Sequence, residues 1–311
     1  MHSPEDSELE KGIRAIRAEL EAIERDGALY DEACFGSRLQ ALDAIEFAIL
    51  KRVEGLLAAA GQPEAVLTLQ QRAQTAKNRL EATDEKLFER LRAAIRSGSL
   101  RGAELRRQLE AYAGSGRSKR CQGGGAYDSL DALIGGVFLA EAAPGEVVER
   151  EPEMVAYQPT PAHIIFEVVE RAGFQKHDIF YDLGSGLGQV VILAHLLSGV
   201  AAKGIEYDPA YCEYARRFAQ DLNLSGVEFV QADAREADYT GGTVFFLYTP
   251  FEGRMLQQVL ERLRGEAKTR TIRVYTYGPC TFAVSHQDWL ALVRQEALGV
   301  DRLAAFRSVC G

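Results

Sequence analysis

The chain has 311 residues, 47% of them hydrophobic and 26% charged, with a formal net charge of −9. No apolar run approaches the roughly 20 residues of a membrane span, and the acidity counts against nucleic acid or an anionic membrane as the main partner. Five dispersed cysteines (Cys34, Cys121, Cys212, Cys280, Cys310) form no C-x-x-C pair, so they read as reduced thiols and exclude a disulfide framework or a zinc site; no metal is expected.

The first residues are acidic and lack the basic-then-apolar pattern of a secretory leader, so a cytoplasmic location is expected. Ser7-Glu-Leu-Glu10 is a capping box, followed by Leu9, Ile13, Ile16, Leu20 and Ile23 at helical spacing up to Gly27. A second helix is predicted from about Phe35 to Ala60. A third starts near Pro63 and carries Val66, Leu69, Ala73, Ala76, Leu80, Leu87, Leu91 and Ile95. A shorter fourth carries Leu100, Leu105, Leu109 and Tyr112. Residues 1–113 therefore read as an all-α bundle or coiled-coil-like domain, whose narrow seams can pair with a second copy of the chain. Residues 114–126, rich in glycine and cations, read as a linker. The remainder, 127–311, is the third region. It opens with a short helix after Tyr127 and an extended acidic stretch over 147–157. A helix follows, with Thr160 as N-cap, Pro161 at its first position and Gly173 as its stop.

From Ile179 strands and helices alternate, the pattern of a mostly parallel sheet covered on both faces. Strands are predicted at Ile179–Leu183, Ala202–Glu206, Val227–Gln231, Val244–Tyr248, Thr271–Tyr277 and near Leu303–Val309. Helices are predicted at Gln189–Leu197, Pro209–Leu222, Glu252–Arg264 and Ser285–Arg294. The first strand ends in Asp182 and turns through Gly184, Gly186 and Gly188 into a helix, which brings backbone N–H groups and a positive helix end against a ligand. The dinucleotide fingerprint G-x-G-x-x-G needs a glycine where Gln189 stands, which counts against a nicotinamide-dependent oxidoreductase.

Asp182-Leu-Gly-Ser-Gly-Leu-Gly188 resembles the first motif of class I S-adenosylmethionine-dependent methyltransferases. Tyr181-Asp-Leu-Gly-Ser-Gly-Leu-Gly-Gln-Val-Val191 is similar to the corresponding segment of the Dot1-like family and its bacterial relatives, as is Tyr157-Gln-Pro-Thr160. The resemblance runs from Tyr157 onward. It implies a Rossmann-like domain with a seven-stranded, mostly parallel sheet whose final strand is antiparallel. It also implies S-adenosylmethionine as cofactor, held by Tyr157, Thr160, Asp182, Gly184, Ser185, Gly186, Gly188, Gln189, Glu206, Tyr207, Asp233 and Ala234. Within that set Glu206 takes the ribose hydroxyls and Asp233 the adenine amino group. The segment after the fourth strand reads Tyr248-Thr-Pro-Phe251 where the family carries Asn-Asn-Phe, a departure that counts against histone-like lysine methylation, so the identity of the substrate does not carry over.

Tyr248 and Thr249 are the first candidates for the acceptor site, with His163, Tyr275, Tyr277 and His286 next. The expected activity is methyl transfer to an acceptor left open between a protein lysine and a small molecule. The alternative is a non-catalytic binder of the same cofactor, a scaffold that dimerises through its N-terminal helices.

Overall fold

The computed structural model describes residues 4–60, 63–114, 128–139, 143–294 and 297–309. All of the glycine-rich linker except Gly114, together with Cys121 and Cys310, lies outside them. Two compact units divide the chain. One spans Met1–Leu91, Gln108–Lys119 and Asp128–Gly136; the other spans Arg92–Arg107, Arg120–Tyr127 and Val137–Gly311.

The first unit is helical. α1 (Pro4–Arg25) begins before Ser7, so the capping-box serine lies inside the helix instead of capping it. α2 (Phe35–Asp43), a π-helical stretch (Ala44–Leu50) and α3 (Lys51–Ala60) form one continuous helix, as the apolar spacing predicts. The wider turn keeps Ala41, Ile45, Ile49 and Val53, four residues apart, on one buried face. α4 (Glu64–Arg96), which ends in the second unit, buries all eight of its predicted seam residues, and α5 (Gly102–Ala113), which begins in the second unit, buries Leu105 and Leu109. One core residue escapes the apolar pattern. Arg38 is fully buried and donates to Asp84 at 2.5 Å and to the carbonyls of Leu29 and Asp31 at 2.8 Å.

In the second unit, α6 (Ser129–Phe138), which begins in the first, leads through an extended strap (146–160) to α7 (Ala162–Ala172). Then β1 (Ile179–Leu183), α8 (Gln189–Ser198), β2 (Ala201–Glu206), α9 (Pro209–Asp221), β3 (Val227–Gln231) and β4 (Val244–Tyr248) follow. The chain closes with α10 (Gly253–Ala267), β5 (Arg273–Tyr277), α11 (Cys280–Ser285), β6 (Leu290–Leu292) and β7 (Ala304–Ser308). The sheet order is β3-β2-β1-β4-β5-β7-β6, with β7 antiparallel to both neighbours. β1 and β4 are apolar on both faces and nearly fully buried, as central parallel strands must be. Chain order reverses on either side of β1, which pairs with β2 and β4, and this opens a crevice at the carboxyl ends of these strands.

Two expectations need correction. No helix occupies Ser285–Arg294: α11 ends at Ser285, and Leu290–Leu292 is the edge strand β6, pairing Leu290 with Ser308 and Leu292 with Phe306. The stretch Trp289-Leu-Ala-Leu-Val293 is compatible with either state, and pairing with β7 decides it. At α7, Pro161 is the cap residue, with ψ 135° and no side-chain cap bond, so Thr160 sits one residue outside and is buried at the end of the strap. Gly173 does stop α7, in the left-handed region with its N–H on Val169. No helix among the described residues is long and apolar enough to cross a membrane.

Candidate active site

At the crevice lies a cavity of about 440 Å³. Its floor is the loop between β1 and α8. Gly186 has φ +51°, and a Cβ there would stand 2.3 Å from the Tyr157 ring; a Cβ on Gly188 (φ +85°) would meet Phe229 and Ala215. Only glycine allows this path, which lets Tyr157 close directly over the loop.

The acids at the strand ends are buried. Glu206 accepts from the backbone N–H groups of Gly186 (2.7 Å) and Asp208 (2.8 Å). Burial nevertheless pushes its carboxyl above the ordinary range, against the pull of those donors. Asp182 is raised well above that range, first by burial and then by the charge of Glu206. Nearby, Gln189 Oε1 and Ser185 Oγ are buried with no hydrogen-bond partner. Two acids without a cation and two orphaned polar atoms, around a loop with a Cβ-free approach, form a site that lacks its complement.

The strap crosses the carboxyl ends of the strands and forms the opposite wall. Its amides at Val147 and Val148 donate to Asp208 Oδ2 (2.8 and 3.1 Å), while Asp208 Oδ1 caps α9 through the N–H groups of Ala210 and Tyr211. Glu151 pairs with Arg235, which also grips Asp233. The Glu153 carboxylate accepts from Met255 N–H at the start of α10 (2.7 Å), and its carbonyl accepts from Glu252. Val155 N–H donates to Pro250. The strap ends with Tyr157, edge-on to Tyr211 at 5.5 Å, and Gln158, which accepts from the Tyr248 hydroxyl at 3.3 Å.

Of the residues expected to hold a cofactor, all but Gly188 line the cavity; Gly188 lies behind the loop against Phe229 and Ala215. Tyr248 and Thr249 also line it. Thr249 has φ +38°, rare for a β-branched residue. Its hydroxyl is committed to backbone, donating to Tyr277 O and accepting from Cys280 N–H, both at 3.3 Å. Tyr248 lies 4.9 Å from the Tyr277 ring, and burial pushes its phenol up. Tyr277 lines the cavity but Tyr275 does not, since its hydroxyl reaches Arg171 O on α7. His163 and His286 are likewise outside the lining. Sequence reasoning missed Asp208, Tyr211, Gln158 and the Glu151–Arg235 pair. Asp208 left a trace as the residue before a proline that opens a helix, and Gln158 as a member of Tyr157-Gln-Pro-Thr160 with no role of its own.

Strand order, glycine loop and buried strand-end acids define the class: the second unit has the Rossmann-like fold of class I methyltransferases. Residues 154–246, from the strap into β4, match the model of the family described as histone methylation protein DOT1. Among solved structures, an RNA methyltransferase from Salinibacter ruber in complex with S-adenosyl-L-homocysteine is 29% identical, covering 49% of this chain and 92% of that one at a TM-score of 0.38. A precorrin-6y C5,15-methyltransferase from Geobacter metallireducens is 15% identical over 51% of this chain and 94% of its own, at a TM-score of 0.38. A methyltransferase from Escherichia coli is 17% identical over 54% and 97%, at 0.40. No curated protein sequence matches the chain significantly.

Proposed function

We propose that the protein is an S-adenosylmethionine-dependent methyltransferase whose donor lies between the glycine loop and the strap. The observation that carries this reading is the uncomplemented polar lining: Asp182, Glu206, Ser185 Oγ and Gln189 Oε1, all buried beside Gly184 and Gly186. When bound, S-adenosylmethionine supplies a methyl group made electrophilic by its sulfonium. Its ammonium and ribose hydroxyls are the donors that buried carboxylates and an orphaned amide oxygen require. Asp182 and Gln189 would serve the amino-acid end, Glu206 the ribose, and Asp233 the base. Tyr157 and Thr160 would close the strap over them and exclude water.

Of the lining residues, Gln158, Tyr248 and Tyr277, joined by the Tyr248–Gln158 hydrogen bond and the Tyr248–Tyr277 ring contact, would form the acceptor half. Among the described residues, Arg150 is the one cation lining the cavity, and it is paired with Glu146 at 2.8 Å. This favours a neutral or cationic acceptor over an anionic one. Tyr248 holds its proton through burial, and its hydroxyl donates a hydrogen bond to Gln158 Oε1, so we assign it to orienting the acceptor and not to acting as a base. An amine that arrives deprotonated, on a protein lysine or a small molecule, fits such a site best. Thr249 fixes the wall through its two backbone bonds.

Isothermal titration of the purified protein with S-adenosylhomocysteine tests the reading. Saturable binding with micromolar affinity is expected, and no heat of binding at millimolar ligand would refute it. Binding without label transfer from radioactive donor to any component of a broad extract would point to the non-catalytic alternative.

A further inference from the structure

The three charges Glu151, Arg235 and Asp233 form a chain from the strap to the end of β3. Arg235 Nη2 and Nη1 donate to the two Glu151 oxygens at 2.6 and 3.1 Å, a forked pairing. The same guanidinium donates from Nε to both Asp233 oxygens at 3.0 Å and from Nη2 to Oδ2 at 2.6 Å. The Arg235 backbone N–H adds a further bond to Asp233 Oδ1 at 2.7 Å. Side-chain exposures are 19% for Asp233, 26% for Arg235 and 41% for Glu151, so the Asp233 half is shielded, and the more open Glu151 half draws its strength from the fork and from the shared guanidinium, unlike an isolated surface pair. Asp233 lines the cavity; Arg235 does not. On the other side of Glu151, the strap residues Met154 to Gln158 form the cavity wall.

We infer that Arg235 is a positioning residue that couples recognition of the cofactor's base to closure of the strap, fixing the Asp233 carboxylate on one side and anchoring Glu151 on the other. The inference rests on the cofactor reading above. A carboxylate gripped edge-on by a guanidinium cannot rotate, so its remaining lone pairs keep a single direction and favour a ligand edge that carries an N–H donor. A ligand that occupies Asp233 therefore draws on the same guanidinium that holds the strap. Lysine, a point charge without the fork, reproduces this only in part.

Two ligands separate recognition from closure: S-adenosylhomocysteine, and S-inosylhomocysteine, in which an oxygen replaces the adenine amino group. The full-length wild type should prefer the former. Arg235→Ala should weaken S-adenosylhomocysteine about tenfold to a hundredfold, the loss of a charged hydrogen-bonding anchor. It should also abolish the preference between the two ligands and speed amide hydrogen exchange over 147–157 in the unliganded protein. Arg235→Lys should recover part of both effects. Glu151→Gln should speed strap exchange and keep the ligand preference. The coupling is overturned if Arg235→Ala, folded by circular dichroism, keeps the wild-type preference, or if strap exchange is unchanged in both Arg235→Ala and Glu151→Gln. Failure of the wild type to bind either ligand would instead refute the cofactor reading, while strap exchange would still report on the latch.

Discussion

At the level of single residues, the glycine loop and the buried acids shape the cavity. Gly186→Ala would place a methyl 2.3 Å from the edge of the Tyr157 ring and force a side chain into the left-handed region. A cost of about 1–3 kcal/mol is expected from the backbone alone, together with loss of most S-adenosylhomocysteine affinity; a urea melt and a titration measure the two effects. Asp182 and Glu206 give a pH dependence of definite sign. Both are raised in the folded protein, so the neutral forms contribute stability that is present at low pH and lost as pH rises through the folded values. A ligand that needs the ionised forms must release protons on binding at pH just above the ordinary carboxylate range of about 4. Its affinity should therefore rise with pH through that region, checked by titrations in buffers of different ionisation heat. A pH-independent affinity would assign the ligand contacts elsewhere. The loop was readable from sequence because its glycines and Asp182 act through local backbone geometry. Arg235 was not, since its meaning comes from Glu151, 84 residues away.

At the scale of elements, the strap's first anchor is Asp208, which serves the start of α9 and the strap together. Burial acts to raise its carboxyl, but four backbone N–H donors together hold it below the ordinary range. Its contribution is thus complete above the unfolded value of about 4 and lost as pH falls through the lower folded value. Asp208→Ala should cost about 1–2 kcal/mol at neutral pH, the worth of a strong helix cap. It should converge with wild type in acid and expose the amides of Val147 and Val148 to exchange; denaturation at two pH values, with exchange, tests all three. Element types followed from periodicity for most of the chain, because β1, β4 and the α4 seam are unambiguous apolar patterns. Leu290–Leu292 misled because a three-residue strand has no period of its own and exists only as the partner of β7. Thr160 misled because Pro161, with its extended ψ, took the cap position itself.

At the scale of the whole molecule, the helical unit has its own weak point. Asp84→Ala would leave Arg38 buried with carbonyl partners and no counter-charge, beside an Nη2 that already has no partner. A loss of about 3–5 kcal/mol is expected, and Arg38→Met combined with Asp84→Leu should cost much less; chemical denaturation followed by helical circular dichroism distinguishes the two.

The strap also bears on the order in which the protein assembles. It precedes the sheet in the chain, yet its anchors lie 61, 84 and 102 residues further on, at Asp208, Arg235 and Met255. During synthesis the strap leaves the ribosome before any of its anchors, and the last of them comes only with the start of α10. Closing such long loops is entropically unfavourable before the surface that rewards it exists. The wall that completes the cavity is made early and seated last, so a nascent chain has its glycine loop long before it has an enclosed site.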